Sequence, residues 1–366
     1  MRRLGVRVPL SPPLRALVSS SDRTAAQATH CDAFMRFGLF LGTEYPARRS
    51  MVARVDSLIE QVRLARDLRF DCALAGQHYL SYPVQILQPT PLLGRLAAEA
   101  GDMRLGTGIV LLPLQHPVDM AEQVATLDQI TGGRFIFGTG LGYEREEFEA
   151  FGLEVSDRVG RFEESLALMK RLWTEDEVHF KGEHFTLHTR PSSWPLQKPY
   201  PPVWIAANGH GPVRRAARLG DVWFANPHAR FSTLAEQMDI YEAALTEYGT
   251  DRPGDVVVSR EVFVAESSAE AVRVARPALH ERYRVYSAQG QDEQLPPGDR
   301  FESEFDALAA DRFVLGDPQQ CIEEIRRYEE LGFNLFIIDY HWLDLDDATA
   351  LNTLRLFGER VMPAFR

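Results

Sequence analysis

The sequence predicts an α/β fold, a TIM-type (β/α)8 barrel with loop insertions, on three observations. Short apolar runs of β type alternate with amphipathic stretches of helical period along most of the chain. Eight such runs occur, the number a closed parallel barrel requires, whereas a doubly wound open sheet seldom runs through that many unbroken units. Glycines cluster at the downstream ends of several runs, the end at which parallel sheets and barrels bind their ligands.

The first strand is the clean apolar run MRFGLFL, 35–41, followed by a helical stretch near 50–69. The second strand, FDCALA at 70–75, leads into a helix near 85–101. Strands at 104–110 and 134–139 flank an amphipathic helix near 117–131, which Pro117 opens, and together make a βαβ unit. A helix near 158–174 precedes the fifth strand, 202–207, and a short helix near 211–219 follows it. The sixth strand, 221–225, is followed by a helix near 231–248. After the seventh, 256–264, come helices near 268–288 and 317–331, then the last strand, 333–339, and a closing helix near 347–361.

Residues 35–366 are read as one barrel domain. Residues 1–34 mix Arg, Pro and Ser without periodicity and are expected to be a disordered extension, with Met35 as the biological start. Pro9, Pro12 and Pro13 break any secretory apolar core there. Two stretches depart from the alternation, near 175–201 and 289–312. The first alternates around Gly182 like a hairpin, and the second is acidic and rich in turn residues. Each can serve as a lid or as a surface loop, and the lid reading is favoured for the second.

The chain has 366 residues, 45% of them hydrophobic, enough for a large core. A formal charge of −12 argues against nucleic acid, which requires clustered Lys and Arg. No run approaches the roughly 18 apolar residues of a membrane span, and a cytoplasmic protein acting on a small molecule is expected. Cys31, Cys72 and Cys321 are too scattered for a disulfide framework or a CxxC metal site. Lys170, Lys181 and Lys198 lie away from strand ends, which excludes a Schiff-base aldolase. The other basic residues are arginines, the usage of a GC-rich genome.

The second strand ends in Gln77, His78 and Tyr79. A histidine at a barrel strand end either handles a proton near neutral pH or caps the loop, and position alone does not choose. At Thr107, Gly108 and Ile109 a glycine inside a strand marks a bulge or a close backbone approach. The fourth strand ends Gly138, Thr139, Gly140, Leu141, Gly142, Tyr143, and the tyrosine breaks the dinucleotide fingerprint. Ala207, Asn208 and Gly209, ahead of Gly211 and Pro212, leave free backbone N–H groups at a helix start, either a phosphate site or an ordinary turn. His179, His184 and His188 lack the H-E-x-x-H spacing, so no metal site is expected. No G-x-S-x-G elbow or P-loop occurs. His116 reads as a helix cap, and Arg158 and Arg161 with Glu163 and Glu164 read as surface pairing.

The stretch 104–143, with G-T-G, P-x-x-H-P, A-T-L-D, G-G-R and G-x-G in that order, resembles the bacterial luciferase-like flavin monooxygenases, whose superfamily includes deazaflavin-dependent oxidoreductases. The resemblance runs from about residue 35 to the end of the chain. It implies a two-component monooxygenase that takes reduced FMN from a separate flavin reductase and uses O2 to oxygenate a small, mostly apolar organic substrate. Such proteins are commonly homodimers. By the same resemblance His78 lies beside the flavin ring and is the catalytic residue. Thr107, Gly108 and Ile109 prop the ring, with a cis Gly108–Ile109 peptide, Thr139 and Gly140 border it, and Ala207, Asn208 and Gly209 hold the phosphate. The second insertion would cover the barrel mouth. Gln77 departs from the family's acidic residue before the histidine. Leu141 stands where the deazaflavin-dependent sugar-phosphate dehydrogenases carry an acid. The alternatives are hydride transfer with the deazaflavin coenzyme F-420, and a non-catalytic flavin-binding barrel.

Overall fold

Eight parallel strands close into a barrel in this computed structural model, which describes residues 34–366. The expectations for the first 33 residues lie outside the described residues. The strands are β1 (Arg36–Phe40), β2 (Cys72–Ala75), β3 (Arg104–Thr107), β4 (Phe135–Gly140), β5 (Val203–Ala206), β6 (Val222–Ala225), β7 (Val257–Val264) and β8 (Leu335–Asp339). Each pairs with its sequence neighbours, and β8 closes on β1 with Arg36 opposite Leu335 and Phe40 opposite Asp339. The fold is therefore the predicted TIM barrel.

The helices of eight residues or more are α1 (Val52–Asp67), α2 (Pro89–Leu96), α3 (Pro117–Ile130), α4 (Arg158–Thr174), α5 (His210–Leu219), α6 (Phe231–Tyr248), α7 (Ser268–Ala288), α8 (Pro318–Glu330) and α9 (Asp347–Leu356). Several starts are fixed by side chains that satisfy otherwise orphaned N–H groups. His116 Nδ1 accepts the Val118 N–H at 3.3 Å, and Asp317 accepts from Gln319 and Gln320 at 3.0 and 3.1 Å. Two long helices and the short one Phe305–Ala309 lie between β7 and β8, and α7 builds its own core from Ala275, Leu279 and Tyr283 against Phe305, Phe313 and Trp342.

Two elements differ from expectation. The helix read near 85–101 shrinks to Pro89–Leu96, because Pro89 and Pro91 set its start. Val84–Ile86 instead pairs antiparallel with Glu44–Pro46. The strand read at 104–110 stops at Thr107, the Gly108–Ile109 peptide is cis, and Val110–Leu111 then pairs with the end of β4.

The barrel interior is filled by alternate residues of the strands, among them Leu74, Ile136, Trp204, Phe224 and Ile337. Burying each such aliphatic or aromatic side chain stabilises the fold by about 1.5–3 kcal/mol. At the amino-terminal end of the strands four charges close the floor. Asp71 and Asp255 each bridge Arg36 and Arg104, at 2.5–3.1 Å. The Arg104 guanidinium also lies 5.8 Å above the Trp204 ring centre.

Candidate active site

The carboxyl ends of the strands surround a cavity of about 1320 Å³, counting the part open to solvent. Its wall includes His78, Gly108, Ile109, Gly140, Ala207, Asn208 and Gly209, so the structure brings these sequence-predicted residues together. Thr107 and Thr139 are not on this wall but directly beside it, next to Gly108 and Gly140. Both are buried, and their hydroxyls donate to strand carbonyls, Thr107 to Gly138 at 2.6 Å and Thr139 to Val110 at 3.1 Å. The glycines beside them allow close packing: a Cβ on Gly138 would lie 1.9 Å from the Thr107 carbonyl oxygen.

His78 follows β2 and is held from the other side of the mouth. Its Nδ1 lies 3.2 Å from Glu147 Oε1 and 3.5 Å from Glu144 Oε1. Glu147 sits in the short helix Arg145–Ala150 after β4, is only 1% exposed, and also accepts the Tyr79 N–H at 2.7 Å. A carboxylate only accepts, so the Nδ1 proton points to Glu147 and Nε2 remains for the cavity. Burial opposes the charged imidazolium, but the hydrogen bond and charge of Glu147, with Glu144 and Glu44 adding, outweigh it and raise the His78 pKa. The Glu144 carboxyl is itself raised, by burial first, with His78 opposing. Tyr143 stands edge-on to the His78 ring, 6.2 Å between centres.

Gln77, the departure from the family pattern, has a structural task that needs both an acceptor and a donor. Its Oε1 accepts the Leu111 N–H at 3.0 Å while its Nε2 donates to Gln88 Oε1 at 3.0 Å. Gln88 in turn donates to the His78 carbonyl at 2.9 Å, so the amide pair fixes the loop bearing the histidine. A carboxylate at position 77 would lack the donor.

The opposite wall comes from α7 and the segment after it. Arg282 donates to Asp339 at 3.1 Å, approaches Glu44 at 3.8 Å, and lies 5.2 Å from the Tyr286 ring centre. Burial pushes the Asp339 carboxyl up, against the pull of Arg282. Glu261, hydrogen-bonded by Tyr283 at 2.8 Å, is raised for the same reason, and Asp339 adds repulsion. His228, bonded to Gln291 at 2.9 Å, is pushed down to about 3 by burial and by Arg282, Arg260 and Arg312, and is neutral near pH 7. Gln291 and Gln294 of the second insertion reach the cavity, whereas the hairpin of the first does not.

The 207–209 turn leads from β5 into α5. α5 starts after Gly209 with no side-chain cap, so its first-turn N–H groups remain available to an anion, Asn208 and Gly209 line the cavity there, and Arg158 lines the same cavity. Arg158 is therefore a wall residue, not a member of a surface charge pair. With apolar walls at Phe40, Ile109 and Phe224, the residues fit a planar cofactor carrying a phosphate.

Sequence reasoning missed Glu144, Glu147, Arg158, His228, Arg282 and Tyr286 as wall or site residues. A usable signal existed for two pairs. Glu144 and Glu147 are three apart just beyond the glycine-rich end of β4, and Arg282 and Tyr286 are four apart on one helix face.

A (β/α)8 barrel whose mouth joins a fixed histidine to an uncapped helix start has the layout of a barrel enzyme with an anion-binding turn at its mouth. More particularly, the family described as luciferase-like monooxygenase matches residues 35–335, and the chain belongs to it. It is 26% identical over 353 residues to the oxygenase component of flavin-dependent trigonelline monooxygenase from Acinetobacter baylyi, covering 90% of this chain and 96% of that one. It is also 26% identical over 330 residues to F420-dependent glucose-6-phosphate dehydrogenase from Intrasporangium calvum, covering 84% and 94%. Among solved structures, monooxygenase RslO1 from Streptomyces bottropensis superposes with a TM-score of 0.79 at 23% identity, over 91% of this chain and 100% of that one. Among the described residues no helix is long and apolar enough to cross a membrane.

Proposed function

We propose that this enzyme is the oxygenase component of a two-component monooxygenase, which receives reduced FMN from a separate flavin reductase and uses O2 to oxygenate a small organic substrate. The observation that carries the reading is His78, held through Nδ1 by the buried Glu147 with Nε2 left to the cavity at the barrel mouth. Bound reduced flavin would supply the electrons that activate oxygen. Around it, Gly108, Ile109 and Gly140 would border the ring, and Ala207, Asn208 and Gly209 with Arg158 would hold the phosphate. Phe40, Ile109 and Phe224 would exclude water, and His78 would hold or pass a proton at Nε2. The Acinetobacter relative, an oxygenase component matched along nearly its whole length, supports this reading.

The second reading is hydride transfer with coenzyme F-420, favoured by the Intrasporangium relative and by the arginine-rich composition. Leu141 on the cavity wall counts against the sugar-phosphate form of it. Anaerobic titration with reduced FMN and with reduced F-420, followed by rapid mixing with oxygenated buffer, separates the two. Tight FMN binding and an oxygen-dependent transient in the flavin spectrum are expected. Preference for F-420 with no oxygen-dependent signal would overturn the proposal.

A further inference from the structure

The first insertion folds as a hairpin, Val178–Lys181 against Thr186–Thr189, and contributes nothing to the cavity. Its strands alternate in the expected way. Val178, Phe180 and Leu187 face inward, while His179, Lys181 and His188 face solvent. The register sets His179 directly opposite His188, although they are nine positions apart in sequence, and their rings stack with centres 3.7 Å apart. Glu177, just before the first strand, directs Oε1 to both rings, 3.0 Å from His188 Nε2 and 3.6 Å from His179 Nε2.

We propose that His179, His188 and Glu177 form a binding site for a divalent borderline metal ion, Zn2+ being the best match. The three donor atoms all lie within 4.8 Å of one another. Around a tetrahedral Zn2+ with bonds of about 2.0–2.2 Å, neighbouring ligand atoms are separated by roughly 3.4 Å. Two of the three separations are therefore already at ligand distance. Two imidazoles and one carboxylate are a donor set that zinc accepts, with the remaining position filled by water. The ion would take the place of the Nε2 proton that now links an imidazole to Glu177, the neutral ring then carrying its proton on Nδ1.

The frame is rigid enough to present these ligands. Glu164 on α4 accepts three successive N–H groups at the hairpin tip, from Glu183, His184 and Phe185, at 2.6, 3.0 and 3.2 Å. Arg171 donates to the His179 carbonyl at 2.9 Å. Both rings are more than 60% exposed, so an ion reaches them without opening the fold. Arg190 competes only for the other carboxylate oxygen, Glu177 Oε2, at 3.4 Å. The linear spacing hid this site, because the metal-binding pair forms across strands and not along a helix.

A second converging set, His78, Glu144 and Glu147, lies in the active site, and the test must distinguish the two. The full chain, freed of metal with a chelator, is titrated with Zn2+ by calorimetry and with Co2+ by visible absorption. One ion per chain and a tetrahedral Co2+ spectrum are expected. Loss of even an outer partner costs roughly 10–100-fold in metal affinity. His188→Ala and His179→Ala should therefore each weaken binding by at least about 100-fold, with His78→Ala leaving the stoichiometry at one. Absence of binding, binding that survives the double variant His179→Ala/His188→Ala, or binding lost only with His78→Ala would each overturn the proposal.

Discussion

The two ends of the barrel carry charge in opposite ways. At the floor, Arg36 and Arg104 face Asp71 and Asp255, two positive charges against two negative, and each carboxylate bridges both guanidiniums. Burial works against the Asp255 charge, but Arg104 and Arg36 outweigh it and hold the carboxyl below the usual range. At the mouth the charges are not so closed. Glu147 Oε2, His228 Nε2, Asp339 Oδ1, Glu261 Oε2 and Arg282 Nε are buried without a hydrogen-bond partner, and burial raises the Glu261 and Asp339 carboxyls. A satisfied network rigidifies a fold, whereas unsatisfied buried polar atoms cost stability and mark a place kept for another purpose. The floor is built for stability and the mouth for chemistry.

The sharpest way to break this contrast is to remove one charge from each end. Asp255→Ala leaves two arginines facing one carboxylate and should cost about 1–3 kcal/mol, less than a fully buried pair because Arg36 is partly exposed. Urea unfolding measures it, and the folded variant should keep its turnover within about twofold. His78→Ala should do the reverse. Turnover is expected to fall by about 100-fold or more, the usual worth of a proton-handling group, with little change in the urea midpoint. If His78→Ala unfolds the protein while turnover per folded molecule persists, the histidine is a structural cap.

Glu147→Gln sharpens the comparison within the mouth. It keeps the shape and can still accept the Tyr79 N–H, but it removes the charge that raises His78. The His78 pKa should then fall, and the limb of the rate profile that follows it should move to lower pH. Turnover at the optimum should drop by roughly 10-fold. Histidine proton NMR across pH reads the pKa directly, and an unchanged titration would show that Glu147 does not set it.

The same contrast explains what the sequence could reveal. The eight strands were legible because a buried parallel strand is an unbroken apolar run bounded by turn residues, a local pattern. His78 and the 207–209 turn were legible because strand ends are local too. The partner of His78 was not, since Glu147 lies 69 residues away and meets it only after β2 and β4 are brought to one rim. The spacing of Thr107 and Thr139 among glycines does not show where their hydroxyls go, and these are taken up by the Gly138 and Val110 carbonyls. The meeting of His179 with His188 depends on hairpin register, which spacing alone does not fix.

The smallest expected effect is also the one that sets the two ends most directly against each other. Glu261 has its folded-state pKa raised, so the stability it allows is fully present below the ordinary glutamate value of about 4.3 and is lost as pH rises through the raised value. Asp255 has its pKa lowered, so its contribution is present above the ordinary aspartate value of about 3.9 and is lost as pH falls through the lowered value. Glu261→Gln retains an oxygen to accept the Tyr283 hydroxyl and should gain on the wild type as pH climbs from 5 to 8, by about 1 kcal/mol. Asp255→Asn should instead lose its disadvantage as pH drops below about 4. Urea unfolding of both variants at several pH values tests the pair. Parallel curves for wild type and Glu261→Gln would mean that Arg282 already neutralises the mouth carboxylates, and that the two ends differ in geometry but not in charge.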